Sequence, residues 1–218
     1  STERIDSYIE YPETPYKTIN TTVKTYIDAI NKKFHDTIQN QPSSNTPFVQ
    51  SISYQIISRT DKHLSLAVLS DQFMQNDTQI STTKYWTFDL KTEQSVPLKS
   101  LFGDVAADGI PRLMMLIKDE VRTQVPKEDL QENNFDAFIN ADKLQDFITV
   151  DNTHLRFIVP ENTVAKADYG ELTIDVAIDK LQLFMQNDTA RSLFMVTSIN
   201  TPLPVTAPKD DECSRSKC

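Results

Sequence analysis

A chain of 218 residues with 22 basic and 31 acidic side chains carries a formal charge of −9. At roughly 100–200 residues per domain it forms one large domain or two small ones, and 39% hydrophobic residues suffice for a buried core. An acidic surface (pI ≈ 4.8) repels phosphate backbones and anionic membranes, no apolar run reaches the roughly 20 residues of a membrane span, and no basic-then-apolar leader opens the chain.

Tyr8-Ile9-Glu10-Tyr11-Pro12 alternates as a short strand that stops at proline. From Thr18, the apolar set Ile19, Val23, Tyr26, Ile27, Ile30, Phe34 and Ile38 recurs every three or four residues and predicts a long amphipathic helix. Three strands follow, at Phe48 to Ser58, His63 to Phe73 and Gln79 to Leu90. Short polar turns between them point to an antiparallel meander. Pro111 with Leu113, Met114, Leu116, Ile117 and Val121 reads as a second helix starting near the proline. A shorter third covers Phe135, Phe138, Ile139 and Leu144. Strands at Phe147–Val150, Leu155–Val159 and Leu172–Ile178 close the body. The expected class is α+β, with antiparallel sheets, a long N-terminal helix, and one or two further helices packed on one side.

The expected organisation is a helix-plus-meander module over residues 1–92, a second α+β module over 93–195, and a Pro-rich linker over 196–218. That linker carries Pro202, Pro204 and Pro208 and favours an extended connector. The first residues are Ser-Thr-Glu, without Met, which reads as processing or as a piece of something longer. The two cysteines, Cys213 and Cys218, form a candidate disulfide, or each seeks a partner beyond the chain; their spacing is loose for a zinc half-site. The hexapeptide Phe-Met-Gln-Asn-Asp-Thr occurs at Phe73–Thr78 and again at Phe184–Thr189, and reads as a turn after an apolar strand end. Both copies and Asn20-Thr21-Thr22 fit a glycosylation sequon, relevant only in a eukaryotic secretory host.

Little in the chain carries catalytic chemistry. His35, His63 and His154 lack metal-ligand spacing and read as surface or rim residues. Carboxylates such as Asp104, Asp108, Asp119, Glu120, Asp136 and Asp142 read as solvated faces. No nucleophile elbow is present, and three glycines (Gly103, Gly109, Gly170) make no phosphate-cradling loop. The expectation is no catalytic residue and no metal site. For binding, Tyr8, Tyr11 and Tyr16 in the Pro-flanked opening and Trp86 are the candidates. Alternation, however, puts Trp86 with Phe88 and Leu90 on a core face.

Tyr8-x-x-Tyr11-Pro12 with Ile19-Asn20 opening a helix resembles an N-terminal module of bacterial cell-envelope proteins. Tyr85-Trp86-Thr87-Phe88-Asp89-Leu90-Lys91-Thr92, then Val96-Pro97-Leu98 and Leu101-Phe102, is similar to its companion module. So is the closing pattern Leu155-x-Phe157, Val164-Ala165, Gly170 and Ile174-x-Val176-x-Ile178. Together such modules form the extracellular part of RsiV-type anti-sigma factors, which sense lysozyme, and precede the catalytic domain of PdaC-type peptidoglycan deacetylases. Two departures stand out. Met74–Thr78 replaces a Gly-rich, His-containing turn, and Glu93-Gln94 replaces a Thr-Gly turn, so no binding residue carries over. The end, Asp211 to Cys218, looks like the lead-in to a NodB-type polysaccharide deacetylase domain. The resemblance implies a non-catalytic, extracytoplasmic accessory region at the cell surface, anchored through a segment upstream of residue 1. The active site, with a divalent metal such as zinc, would lie after Cys218. Implied partners are cell-wall glycan or, for a sensor, a cationic protein such as lysozyme.

Overall fold

The computed structural model describes residues 5–39, 47–74, 78–140, 144 and 146–194. The Pro-rich stretch, Cys213 and Cys218 lie outside the described residues, as does Asp142.

The chain starts with strand β1 (Ile5–Ile9), then helix α1 (Lys17–Gln39), then strand β2 (Phe48–Arg59). Ile19, Val23, Ile27, Phe34 and Ile38 are all buried on one face of α1, as their spacing dictates. The helix returns the chain to the side from which it started, so β1 and β2 pair in parallel, Ile5 beside Phe48 and Ile9 beside Ile52. This corrects two expectations. The sheet is mixed, and the opening strand lies before Tyr11-Pro12. Strands β3 (His63–Phe73), β4 (Gln79–Asp89) and the short β5 (Gln94–Ser95) continue antiparallel in the order β1-β2-β3-β4-β5.

Glu93, in the turn between β4 and β5, takes a left-handed backbone, φ 55°. Its carboxylate accepts the Thr18 N–H at 2.9 Å, placing an anion at the positive end of α1.

The second half begins with two 3-10 turns, Leu98–Leu101 and Gly103–Val105, and helix α2 (Ala106–Gln124). Pro111 lies inside α2 rather than at its start, so the helix begins more than a turn earlier than expected. The ring's missing N–H leaves one internal bond unmade, and burial of Leu113, Met114, Ile117 and Val121 outweighs it. Helix α3 (Glu132–Phe138) is followed by β6 (Ile148–Thr149), β7 (His154–Val159) and β8 (Leu172–Ala177), an antiparallel sheet in that order. A fourth helix, α4 (Asp188–Phe194), was not foreseen. Phe73 of the first hexapeptide copy ends β3, and its Gln75 to Asp77 lie outside the described residues. The second instead leads into α4, where Asn187 Oδ1 accepts the Ala190 N–H at 2.9 Å as an N-cap.

One hydrophobic cluster joins α1 to the first sheet through Ile19 to Phe88, and a larger one starts at Val96 and packs α2 on the second sheet. The two halves meet through hydroxyls. Ser65 on β3 accepts the Thr149 N–H at 3.0 Å and shares hydrogen bonds of 2.8 Å with the hydroxyls of both Thr87 and Thr149. Thr87 donates onward to the Phe147 carbonyl at 3.0 Å, and Ser58 donates to the Thr149 carbonyl. This covering of the face opposite α1 explains why His63 to Val68 is buried on consecutive residues.

Candidate ligand groove

The four sequence candidates do not converge. Tyr8 is 59% exposed on β1, beside Ser51 and therefore on the face away from α1. Its hydroxyl donates to Glu10. Tyr11 leans on α1, donating to Asp28 Oδ1 at 2.9 Å with the Lys24 ammonium 4.6 Å over its ring. Tyr16 packs against the core under α1. Trp86 packs there as well, edge-on to Tyr26 at 4.9 Å and stacked over Phe88 at 6.4 Å. The core face read from alternation is correct for Trp86, but the ring is only partly buried. Its remaining surface looks into a groove.

That groove, of about 750 Å³, runs along the outer edge of β4. Strand β5 covers only Phe88 and Asp89, and the Val96 N–H reaches the Thr87 carbonyl at 2.8 Å. From Gln79 to Trp86 the edge pairs with no described strand. Ile110 and Pro111 on α2, Leu98 and Phe147 form the opposite apolar wall. Across the groove Lys84 pairs with Asp146, each side chain about a third exposed (33% and 34%). The Lys84 ammonium stands 5.7 Å over the Trp86 ring. One aromatic surface, one bound ion pair and an apolar wall suit an amphipathic ring, with its apolar face on Trp86 and its polar groups at Lys84 and Asp146.

Among the described residues no three metal-ligating side chains gather, and no helix is long and apolar enough to cross a membrane. A second cavity, about 790 Å³, lies between the start of β7 and α4, with His154, Met185, Arg191 and Phe194 in its wall. His154 turns Nδ1 toward Asp151 at 3.3 Å and Thr153 at 2.8 Å, and is half-buried, as a rim residue is. His63 is not a rim residue. It is 0% exposed, and burial lowers its pKa below the usual 6.5.

The two sheets and their helices follow an architecture seen before. A DUF3298 family protein of Pseudomonas aeruginosa matches with a TM-score of 0.63 over 86% of this chain and 86% of its own, at 10% identity. A DUF3298 member of Bacteroides fragilis matches with a TM-score of 0.54 over 84% of this chain and 74% of its own, at 12% identity. The fold is that of DUF3298 proteins. No family model and no curated protein matches the sequence. DUF3298 is the same domain family as the RsiV/PdaC-like modules the sequence resembles, so the likeness bears on fold and leaves activity open.

Within this DUF3298-like fold, the sequence signalled Trp86 but not the Lys84–Asp146 pair, whose members are 62 positions apart. The only local signal was a lysine two residues before Trp86, on the same side of a strand.

Proposed function

We propose that this chain is a non-catalytic, extracytoplasmic accessory region of a cell-wall polysaccharide deacetylase, and that the groove beside Trp86 holds glycan. The observation that carries the reading is the partly exposed Trp86 ring with the Lys84–Asp146 pair beside it in the wall of a groove of about 750 Å³. A pyranose presents an apolar face for stacking and equatorial polar groups for an ion pair, which is the complement of these walls. The envelope setting rests on the sequence resemblance to the RsiV/PdaC-like modules.

Trp86 is the only tryptophan, so its emission reports the groove directly. Titration with soluble peptidoglycan fragments is expected to change that emission, and Lys84→Met is expected to weaken the response. Unchanged emission together with bare insoluble peptidoglycan in a pull-down removes glycan contact and leaves a spacer role.

The net charge of −9 favours a second reading, a sensor for a cationic protein such as lysozyme. Binding would then weaken steeply with added salt in titration calorimetry, and salt-insensitive or absent binding rejects it.

A further inference from the structure

We propose that His63 is a proton-operated latch that seats α4 against the base of the first sheet and releases it in mild acid. His63 opens β3, fully buried, directly opposite Asp89 on β4. The ring of Phe194, the last residue of α4, packs on it with centroids 6.0 Å apart.

The hydrogen bonds fix the ring's charge state. Nδ1 lies 3.2 Å from the Thr60 hydroxyl. That oxygen already accepts two backbone N–H groups, from Lys62 at 3.1 Å and His63 at 3.0 Å. A hydroxyl has two lone pairs, so both are engaged and its own hydrogen points at Nδ1. Nδ1 is therefore the bare nitrogen, and Nε2 carries the single proton. Nε2 makes no hydrogen bond among the described residues.

A second proton must enter at Nδ1, where it meets the Thr60 hydrogen with no lone pair to receive it. Relief requires one of two movements. Thr60 gives up the N–H groups that shape the β2–β3 turn, or the imidazolium rotates out against Phe194. Either movement disturbs the seat of α4, which is only seven residues long and holds the larger core through Ala190 and Leu193.

The charged groups around the ring do not supply the missing acceptor. Asp61 attracts a proton, but burial is the larger effect, and the Leu193 backbone lies close without hydrogen-bond geometry. Asp89 already accepts the Lys91 N–H at 2.7 Å. Lys62 in the turn, Arg59 on β2 and Arg191 on α4 are basic residues on the elements packed around it. The consequence reaches the second cavity, because Arg191 and Phe194 form part of its wall. Acid release of α4 opens that cavity.

The test follows His63 by NMR across pH 7.5 to 4.0 in the whole chain, with amide exchange of Ala190 to Phe194 corrected for intrinsic rates. His63 is expected to titrate below 6.5, and α4 protection to fall about ten-fold for each pH unit between 6.5 and that midpoint, levelling off below it. His63→Phe, which keeps a ring and cannot titrate, is expected to hold its α4 protection unchanged. Titration at or above 6.5, a ring still neutral at pH 4.0, or α4 protection indifferent to the titration each overturns the latch. So does the same acid loss in His63→Phe. Should that variant fail to fold, the wild-type titration and exchange decide alone.

Discussion

Ser65→Ala tests whether the hydroxyl cluster joins the two halves of the molecule. Ser65, Thr87 and Thr149 are nearly inaccessible, at 0%, 2% and 0% exposure. One set of proton positions satisfies them all. Thr87 donates to the Phe147 carbonyl, Ser65 to Thr87, and Thr149 to Ser65. Removing the Ser65 oxygen strands the buried Thr149 N–H, which costs about 2 kcal/mol. The Thr149 hydroxyl can turn to Ser58 at 3.3 Å, and Thr87 keeps its carbonyl, so the hydroxyl bonds add only about 1 kcal/mol. The expected loss is about 3 kcal/mol, a factor of roughly 150 in the folding constant. Urea unfolding followed by Trp86 emission and by far-ultraviolet circular dichroism measures it in both halves. The exposed Ser95→Ala serves as control and should stay within about 0.5 kcal/mol of wild type. A loss under about 1 kcal/mol, or a shift seen by Trp86 alone, refutes the reasoning.

Two further outcomes follow from local geometry. In Gly109→Ala the new Cβ would stand 2.3 Å from Cδ1 of Phe102, itself buried in the larger core. Overpacking of about 1–3 kcal/mol then outweighs the helix-propensity gain of about 1 kcal/mol, so the melting temperature falls, whereas a rise would show that the ring yields. Asp129 receives hydrogen bonds from Lys166 and, at 2.8 Å, from the Tyr169 hydroxyl, and these hold its carboxyl below the usual carboxylate range. Its contribution to stability is therefore present above the unfolded value and lost as pH falls through the lowered one. Carboxyl NMR titration should show the midpoint moving up in Lys166→Met, and an unmoved midpoint would discount the lysine.

What could be read without coordinates follows from the range of each signal. Helix α1 and strands β2 to β4 carry long, regular periods, and their bounds fall within a residue or two of the pattern. The parallel seat of β1 depends on where α1 delivers the chain, which no local period encodes. Proline is common at helix starts, so Pro111 points to one, yet α2 begins at Ala106 and already packs Gly109 close against Phe102. Helix α4 is only seven residues long, too short for a period of its own, and the Asn187 cap is legible only with Ala190 in place. His63 looks like any strand-opening histidine until Phe194 covers it, 131 positions later in the chain.

The groove and the junction between the halves are one piece of structure. Thr87 lines the groove from β4 while its hydroxyl holds the Phe147 carbonyl, and Phe147 and Asp146 form the groove's other side. A ligand bridging Trp86 and Asp146 therefore has both contacts only when the second half is docked on the first. Such a ligand binds the docked state in preference and stabilises it by mass action, in proportion to the logarithm of its concentration over Kd. By the same linkage, loosening the junction with Ser65→Ala lowers the population that can bind, without substituting any residue that lines the groove. A groove built from a single half would not behave this way, and the bridging Lys84–Asp146 pair is what makes the difference.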